Sequence, residues 1–296
     1  MSKKKSLSPK LDVVFQALFG EVGSEKITTS LLKAILKQNI EEIDLNQNPI
    51  LRREFKDDKL GILDILAKIN GTDNCNIELQ IVDRANIIER MLYYWGRLYT
   101  RGIQAGEDYA ELVRTVVVLI TEFDVLPEEN LEIHTNWKII EEKHRKTILT
   151  DKFEFHIIIM SKIEEANLED KELLDWLYFL DNPESEKVKN IMKTNKELKE
   201  AGEKLNKISQ DEKLRKIAEL RQKAIMDEKA IFRRGQEIGS EERLWERQRR
   251  AVLRKVKKNG LEKGKKDVAK KMKQENIDLE LIIKVTGLSK EQIEDL

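Results

Sequence analysis

The chain has 296 residues, which is enough for a core of ordinary size and for two regions. Charged residues make up 37% of the sequence, well above the ~25% that is usual for soluble domains. A single cysteine, Cys75, excludes a disulfide framework and a zinc site built from cysteines. The basic N-terminus is followed by no apolar signal core, and no run approaches the ~18 apolar residues of a membrane span. We therefore expect a cytoplasmic protein with no membrane partner.

The formal net charge of zero hides an uneven distribution of charge. Residues 1–180 carry 24 basic and 32 acidic side chains, whereas residues 181–296 carry 31 basic and 23 acidic ones. The most basic stretch, residues 243–273, holds 14 basic and 3 acidic side chains. Such segregation indicates either a polyanionic partner or a solvated helical arm.

The first part of the chain predicts two amphipathic helices and two short extended segments. Residues 8–20 carry an apolar stripe at helical spacing, with Ser8 as the expected N-cap. Residues 24–38 predict a second helix by the same spacing. Residues 40–45 and 51–55 are typical of short extended segments that lead into the next motif.

Residues 61–69 and 76–82 predict two strands, because apolar residues alternate along both. The polar turn between them contains Asn70-Gly71, a pair that tolerates the backbone dihedrals of a chain reversal. Two strands so close in sequence should pair antiparallel, and we take the hairpin as symmetric about Thr72. Cys75 then falls in the turn, with no nearby histidine to support nucleophilic catalysis.

Three polar side chains share one face of this hairpin. Asp64, Glu78 and Gln80 are separated by even numbers of residues, so they lie on the same side. In the assumed register Asp64 lies opposite Gln80 and diagonal to Glu78, with roughly 7 Å between the diagonal Cβ atoms. Two carboxylates at that distance can hold one divalent cation. The same pattern fits a solvated strand face, and the spacing alone does not decide between the two.

Residues 86–104 predict a helix with an apolar stripe. Its aromatic residues fit core packing. Its basic edge is formed by Arg90, Arg97 and Arg101, and tyrosines interleave with it.

Residues 114–123 and 152–160 are near-continuous runs of apolar and β-branched residues, which predict strands buried on both faces. A helix is predicted at residues 168–180. Strands and helices together indicate a mixed sheet with helices on its faces. The histidines at 134, 144 and 156 lack the spacing of metal ligands, so we expect structural or surface roles for them.

From about residue 184 the composition changes to lysine, glutamate and arginine. Apolar residues spaced by three and four predict a helical arm and an imperfect coiled coil. The last thirty residues predict short helices, with a capping box at Ser289 and Gln292. They fit either a helix-turn-helix or a docking bundle, and the acidic last helix is poor chemistry for a DNA groove.

Several segments in a fixed order carry a family resemblance. They are DVVFQALFG near the start, DDKLGILDILAKI and NIELQ in the hairpin, IIERMLYYWGRLYTRGI after it, and LTDKFEFHIIIM followed by LLDWLYFL. Together they resemble the PD-(D/E)XK nuclease family transposases, also called Rpn-type recombination-promoting nucleases. The resemblance covers residues 8–182, and VTGLSKEQIEDL near the end is similar more loosely.

The resemblance implies an α/β fold, in which a restriction-endonuclease-like mixed sheet is flanked by helices. A long, charged helical C-terminal region follows it. We therefore expect a nuclease-like domain at residues 8–182, a charged helical arm at 183–264 and a short helical bundle at 265–296.

The resemblance also implies the residues of a metal site. Asp64 matches the metal-binding aspartate, and Glu78 matches the acidic residue of the (D/E)XK motif. With the backbone carbonyl of Leu79 they are expected to hold Mg²⁺ or Mn²⁺. Gln80 stands where the motif has lysine, so it can bond to a water but supplies no charge. Asp12 matches an acidic position of the N-terminal helix, as an accessory residue.

Tyr94 and Arg97 match the helix that borders the site in this family, and with Arg101 they are expected to bind nucleic acid. The implied function is a Mg²⁺-dependent DNA endonuclease that acts in recombination or mobile-element biology. The alternative is a non-cleaving, DNA-binding or assembly protein on the same fold. In both cases the C-terminal helices are candidates for forming a homo-oligomer.

Overall fold

The protein was analysed as a computed structural model, which describes residues 5–45, 50–51, 61–62, 64–83, 86–125, 132–166, 170–275 and 278–295. The chain divides into two compact units, Met1–Glu228 and Lys229–Leu296. The boundary predicted near residue 183 falls within the first unit, and the one near residue 264 falls within the second. None of the helices in the described ranges is long and apolar enough to cross a membrane.

The first unit is built on a six-stranded mixed sheet, as the sequence predicted. Its strands are β1 (Ile43–Leu45), β4 (Ile65–Ile69), β5 (Asp73–Gln80), β6 (Thr115–Thr121), β7 (His134–Trp137) and β8 (Phe153–Ile159). Their spatial order is β1-β4-β5-β6-β8-β7. The pairs β5–β6 and β6–β8 are parallel, and the other three pairs are antiparallel. The short strands β2 (Ile50–Leu51) and β3 (Gly61–Ile62) pair with each other.

Helices cover both faces of the sheet. The helices of this unit are α1 (Asp12–Phe15) with the π-helical turn Gln16–Gly20, α2 (Glu25–Leu36), α3 (Ile87–Thr100), α4 (Lys171–Asp181), α5 (Glu186–Thr194) and α6 (Lys196–Gln210), followed by α7 (Glu212–Gln274), of which the part up to Glu228 belongs to the first unit. Short 3₁₀ turns lie at Tyr109–Glu111 and Met160–Glu165. The main core, which includes residues of α1, α2, α4, α5 and α6, lies against one face, and α3 packs on the other. Because both faces are covered, every residue of β6 is buried, as its apolar sequence predicted.

The first helix begins at Asp12 and not at the predicted cap, Ser8. Residues 8–11 form a turn in which the N–H of Leu11 donates to the carbonyl of Ser8 at 3.2 Å. Leu11 has an extended backbone and is 4% exposed. Burying this side chain holds the segment out of the helix.

The hairpin has the predicted faces and turn but a different register. Asn70 and Gly71 have positive φ values of 49° and 72°, as the turn requires. Ile65 pairs with Ile77, which is two residues away from the predicted register and brings Asp64 level with Glu78. The reason is that β5 begins at Asp73, so Cys75 lies within the strand and is fully buried rather than in a polar turn. Burial raises the pKa of the Cys75 thiol to about 12.

The second unit contains most of α7, from Lys229 onwards, and the helices α8 (Leu279–Thr286) and α9 (Lys290–Glu294). The predicted capping box of Ser289 with Gln292 is present before α9, and Gly287, with φ +67°, follows the end of α8. A small apolar cluster packs these helices together; it is formed by Ala269, Ile282, Leu288 and Ile293.

Strand β7 was not predicted, and it brings two of the histidines into one buried polar chain. His134 Nε2 lies 2.8 Å from His156 Nδ1, and His156 Nε2 lies 3.1 Å from Glu154 Oε1. Arg114 donates to both Glu154 and Asp73. Although burial opposes it, hydrogen bonds from His156, Arg114 and Asn136 lower the pKa of Glu154 below its ordinary value.

The hydrogen-bonded histidines predict that the protein loses stability in mild acid. Burial, and after it the adjacent His156, lowers the pKa of His134 from 6.5 to about 4; Asp170 opposes this and Lys37 adds to it. The folded state therefore keeps His134 neutral. The contribution of neutral His134 to the free energy of unfolding is full above pH 6.5 and is lost as the pH falls towards 4.

We expect His134→Gln, which cannot be protonated in this range, to lose less stability than the wild type between pH 7.5 and pH 4.5. Urea unfolding monitored by circular dichroism should show a difference of roughly 1–3 kcal/mol between the two losses. Equal losses in both proteins would contradict a neutral, partly buried His134.

Candidate active site

Two carboxylates are held together where β4 begins and β5 ends. The N–H of Asp64 donates to Glu78 Oε1 at 3.2 Å, and the N–H of Leu79 donates to Asp64 Oδ2 at 2.9 Å. Each carboxylate is therefore fixed by a backbone N–H at or beside the other. Asn76, two residues before Glu78 on the same strand face, donates from Nδ2 to Glu78 Oε1 at 3.3 Å.

The surroundings disfavour two free negative charges. Glu78 is 2% exposed, and Asp64 is partly buried. Burial raises the pKa of both carboxyls; the charge of Asp64 raises that of Glu78 further, and Arg90 opposes both shifts. A divalent cation would offset this repulsion and the loss of hydration.

The donor set fits Mg²⁺ or Mn²⁺. Both are hard cations that prefer oxygen ligands, and Mg²⁺ is typically bound through one or two carboxylates plus waters and substrate phosphates. Asp64 and Glu78 would supply those carboxylates. No cluster of three or more His, Cys, Asp or Glu side chains suited to a metal occurs among the residues that the structure describes. The remaining ligands would thus be backbone oxygens, waters or substrate.

The two carboxylates open onto a cavity of about 350 Å³ in the first unit. Its walls come from four parts of the chain that are far apart in sequence. They include Lys10, Asp12, Leu79, Gln80, Arg90, Tyr94, Arg221, Ile225 and Glu228.

Most of the residues predicted for the site share this cavity. Asp64, Glu78, Leu79 and Gln80 line it together with Asp12 and Tyr94. The charge of Asp12 raises the pKa of Asp64, a smaller effect than burial, so the two carboxyls are close enough to interact.

The structure places the other two predicted residues farther along α3. Arg101 lines a second cavity, of about 580 Å³, together with Lys68, Asn74 and Leu98. Arg97 is partly buried and lies on the same stripe of α3, between Tyr94 and Arg101. The stripe thus runs from one cavity towards the other.

Arg90 and Lys10 line the site but were not predicted as site residues. Arg90 lies one turn before Tyr94 on α3. The four-residue spacing between the two could have identified Arg90 as a site residue from the sequence. Its buried Nε has no hydrogen-bond partner in the described part of the chain. No local sequence pattern identifies Lys10 as a site residue. Its Nζ lies 2.8 Å from Asp181 Oδ1 and 2.5 Å from Glu122 Oε1.

A comparison of the sequence with protein families identifies one family. The family model of the PD-(D/E)XK nuclease family transposases matches residues 9–235, about three quarters of the chain. No curated protein and no solved structure matches the chain. The matched range includes both carboxylates, Arg90 and the first turns of α7. Because this match spans well over half of the sequence, the chain belongs to the PD-(D/E)XK nuclease family transposases.

Proposed function

We propose that the protein is a Mg²⁺- or Mn²⁺-dependent DNA endonuclease that hydrolyses phosphodiester bonds and promotes recombination or mobile-element activity. Membership of the family supports a nuclease that acts on DNA. The observation that carries the proposal is a pair of carboxylates, Glu78 bonded by the N–H of Asp64 and Asp64 bonded by the N–H of Leu79, beside cationic side chains in one cavity.

Asp64, Glu78 and the backbone carbonyl of Leu79 would hold the metal. When bound, the ion lowers the pKa of a coordinated water and polarises the scissile phosphate. Asn76 orients Glu78 through its amide. Gln80 would position the attacking water by hydrogen bonding, because its amide both donates and accepts. Arg90 would offset charge on the phosphate from inside the cavity.

The DNA strand would continue along α3. Tyr94 would form a wall of the cavity, and Arg97 and Arg101 would bind successive phosphates along the same helical stripe. The basic stretch at residues 243–273 would add attraction that does not depend on sequence. The C-terminal helices would also provide a homo-oligomer contact, and the protein would act in the cytoplasm.

The neutral Gln80 favours a second candidate, a protein that binds DNA without cutting it. A lysine at this position would add charge at the phosphate, whereas glutamine adds only a hydrogen bond. The following experiments separate the two candidates.

Asp64→Ala should abolish cleavage, because it removes one of the two metal-binding carboxylates. We expect the rate to fall about 100-fold or more, since metal charge stabilisation contributes several kcal/mol to such reactions. Supercoiled plasmid and circular single-stranded DNA would both be incubated with Mg²⁺ or Mn²⁺ and followed on gels. Asp83→Ala is the matched control, because Asp83 is an exposed carboxylate outside the cavity lining.

Cleavage that survives in Asp64→Ala would show that the carboxylate pair is not the metal site. If the wild type cuts neither substrate but binds both, the non-cleaving candidate is the correct one.

Gln80→Ala should slow the reaction without weakening metal binding. The amide would position water and not the ion, so we expect kcat to fall about tenfold, as the loss of one hydrogen bond worth about 1.4 kcal/mol implies. Manganese affinity, measured by electron paramagnetic resonance, should stay within about twofold of the wild type. A parallel loss of manganese affinity would instead make Gln80 a metal ligand.

Neutralising the basic stretch should reduce the salt dependence of DNA binding. Replacing Arg247, Arg249, Arg250 and Arg254 together by glutamine should lower the slope of log K against log salt by up to about 4, because each phosphate contact contributes roughly 0.9. The control replaces four exposed lysines of α5 and α6, at positions 189, 193, 199 and 207. Equal slopes in the first variant and the wild type would mean that this stretch is only a solvated helix face.

A further inference from the structure

The first turns of α7 form one wall of the candidate active site. Arg221, Ala224, Ile225 and Glu228 all line the cavity that contains the carboxylate pair. Their spacing of three, one and three residues places them on one face of the helix. Ile225 also packs against the main core of the first unit, which holds this face against the sheet. The charged arm therefore contributes residues to the site.

Arg221 brings a permanent positive charge to this wall. Its Nε lies 3.2 Å from Asp12 Oδ2, and the charge of Asp12 in turn acts on Asp64. A guanidinium keeps its charge at every physiological pH and matches the geometry of a phosphate with two parallel hydrogen bonds. This charge faces the same cavity in which Gln80 is neutral.

The ion pair of Arg221 with Asp12 is open to exchange. Its side chains are 56% and 41% exposed, respectively. Exposed pairs of this kind contribute little to stability. Hydrogen bonds between charged groups and a phosphate in a partly closed cavity are stronger. A phosphate that enters the cavity can therefore displace Asp12 from Arg221.

We propose that Arg221 is a substrate-binding residue of this site, which pairs with Asp12 in the absence of DNA and binds a backbone phosphate when DNA enters. It adds, from the arm, a positive charge to that of Arg90 in the cavity where Gln80 is neutral. The inference rests on the proposed nuclease function, because it assigns a substrate contact within the same cavity.

The alternative role is structural, in which the pair only fastens α7 to α1. The two roles make opposite statements about Asp12. If Arg221 binds DNA, then removing the charge of Asp12 frees it and strengthens binding. If the pair only fastens the helix, then removing either partner loosens the wall of the cavity, and both substitutions weaken DNA binding.

The test measures DNA binding without cleavage. A short fluorescein-labelled oligonucleotide, single-stranded or duplex, is titrated with the full chain in EDTA and followed by fluorescence anisotropy. We expect Arg221→Ala to weaken binding about tenfold, as the loss of a charged hydrogen bond implies, and to lower the salt slope by about one. Arg221→Lys should recover part of the affinity, since it restores the charge but not the paired geometry.

Asp12→Asn should bind DNA as tightly as the wild type or more tightly. The substitution keeps a side-chain oxygen for the N–H of Val13, which Asp12 accepts at 2.9 Å, so α1 should remain intact. Lys223→Ala is the matched control, because it removes an exposed cation two residues away that is not among the cavity-lining residues. It should change affinity by less than about twofold.

Two results would overturn the proposal. One is equal affinity in the wild type and Arg221→Ala, including no binding by either. The other is weaker binding in Asp12→Asn, which is the structural outcome. Both are distinct from failure of the nuclease function, which appears as absence of Asp64-dependent cleavage with Mg²⁺ whatever Arg221 does.

Discussion

The site depends on two carboxyl groups that are held side by side, where β4 begins and β5 ends, by backbone N–H groups of Asp64 and Leu79. The N–H of Asp64 donates to the Glu78 carboxylate, and the N–H of Leu79 donates to the Asp64 carboxylate, so each carboxylate is held by a backbone group at or beside the other residue. Strand β4 begins only after Asp64, which leaves that residue's N–H and side chain available for these bonds. Such an arrangement is unfavourable without a counter-charge, because burial and repulsion act together. The cations around the cavity meet that requirement from other parts of the chain.

The sheet explains why the pair lies where it does. Strand β5 is antiparallel to β4 on one side and parallel to β6 on the other. Its last residues therefore lie at the carboxyl ends of parallel strands, the edge at which ligands commonly bind in open α/β sheets. Helix α3 covers the face that carries Glu78 and brings Arg90 and Tyr94 over it.

Local sequence patterns predicted the faces of the hairpin, its turn and the buried central strands. Alternation is a property of neighbouring residues, so the common face of Asp64, Glu78 and Gln80 followed directly. The register of the hairpin could not be predicted in this way, because it depends on where β5 begins. Polar residues such as Asp73 gave no sign of a strand. The cap at Ser8 failed for a similar reason, since burial of Leu11 is decided by the core.

Residues that meet only in the folded chain could not be found by pattern. Lys10 and Arg221 are more than two hundred positions apart, and only the packing of α7 brings them to one cavity. His134 and His156 looked scattered because β7 was not recognised; its short polar sequence shows no alternation. Their contact depends on β7 pairing with β8 at the sheet edge.

Full burial gives the lone thiol of Cys75 a further meaning. It lies in β5 between two paired strands, fully buried, and its raised pKa leaves almost no thiolate at neutral pH. Alkylating reagents can therefore reach it only when the strand that carries Glu78 separates from its neighbours. The rate at which this single thiol is alkylated therefore reports how often the centre of the sheet opens. Slow opening motions can be measured in this way without introducing a probe into the sequence.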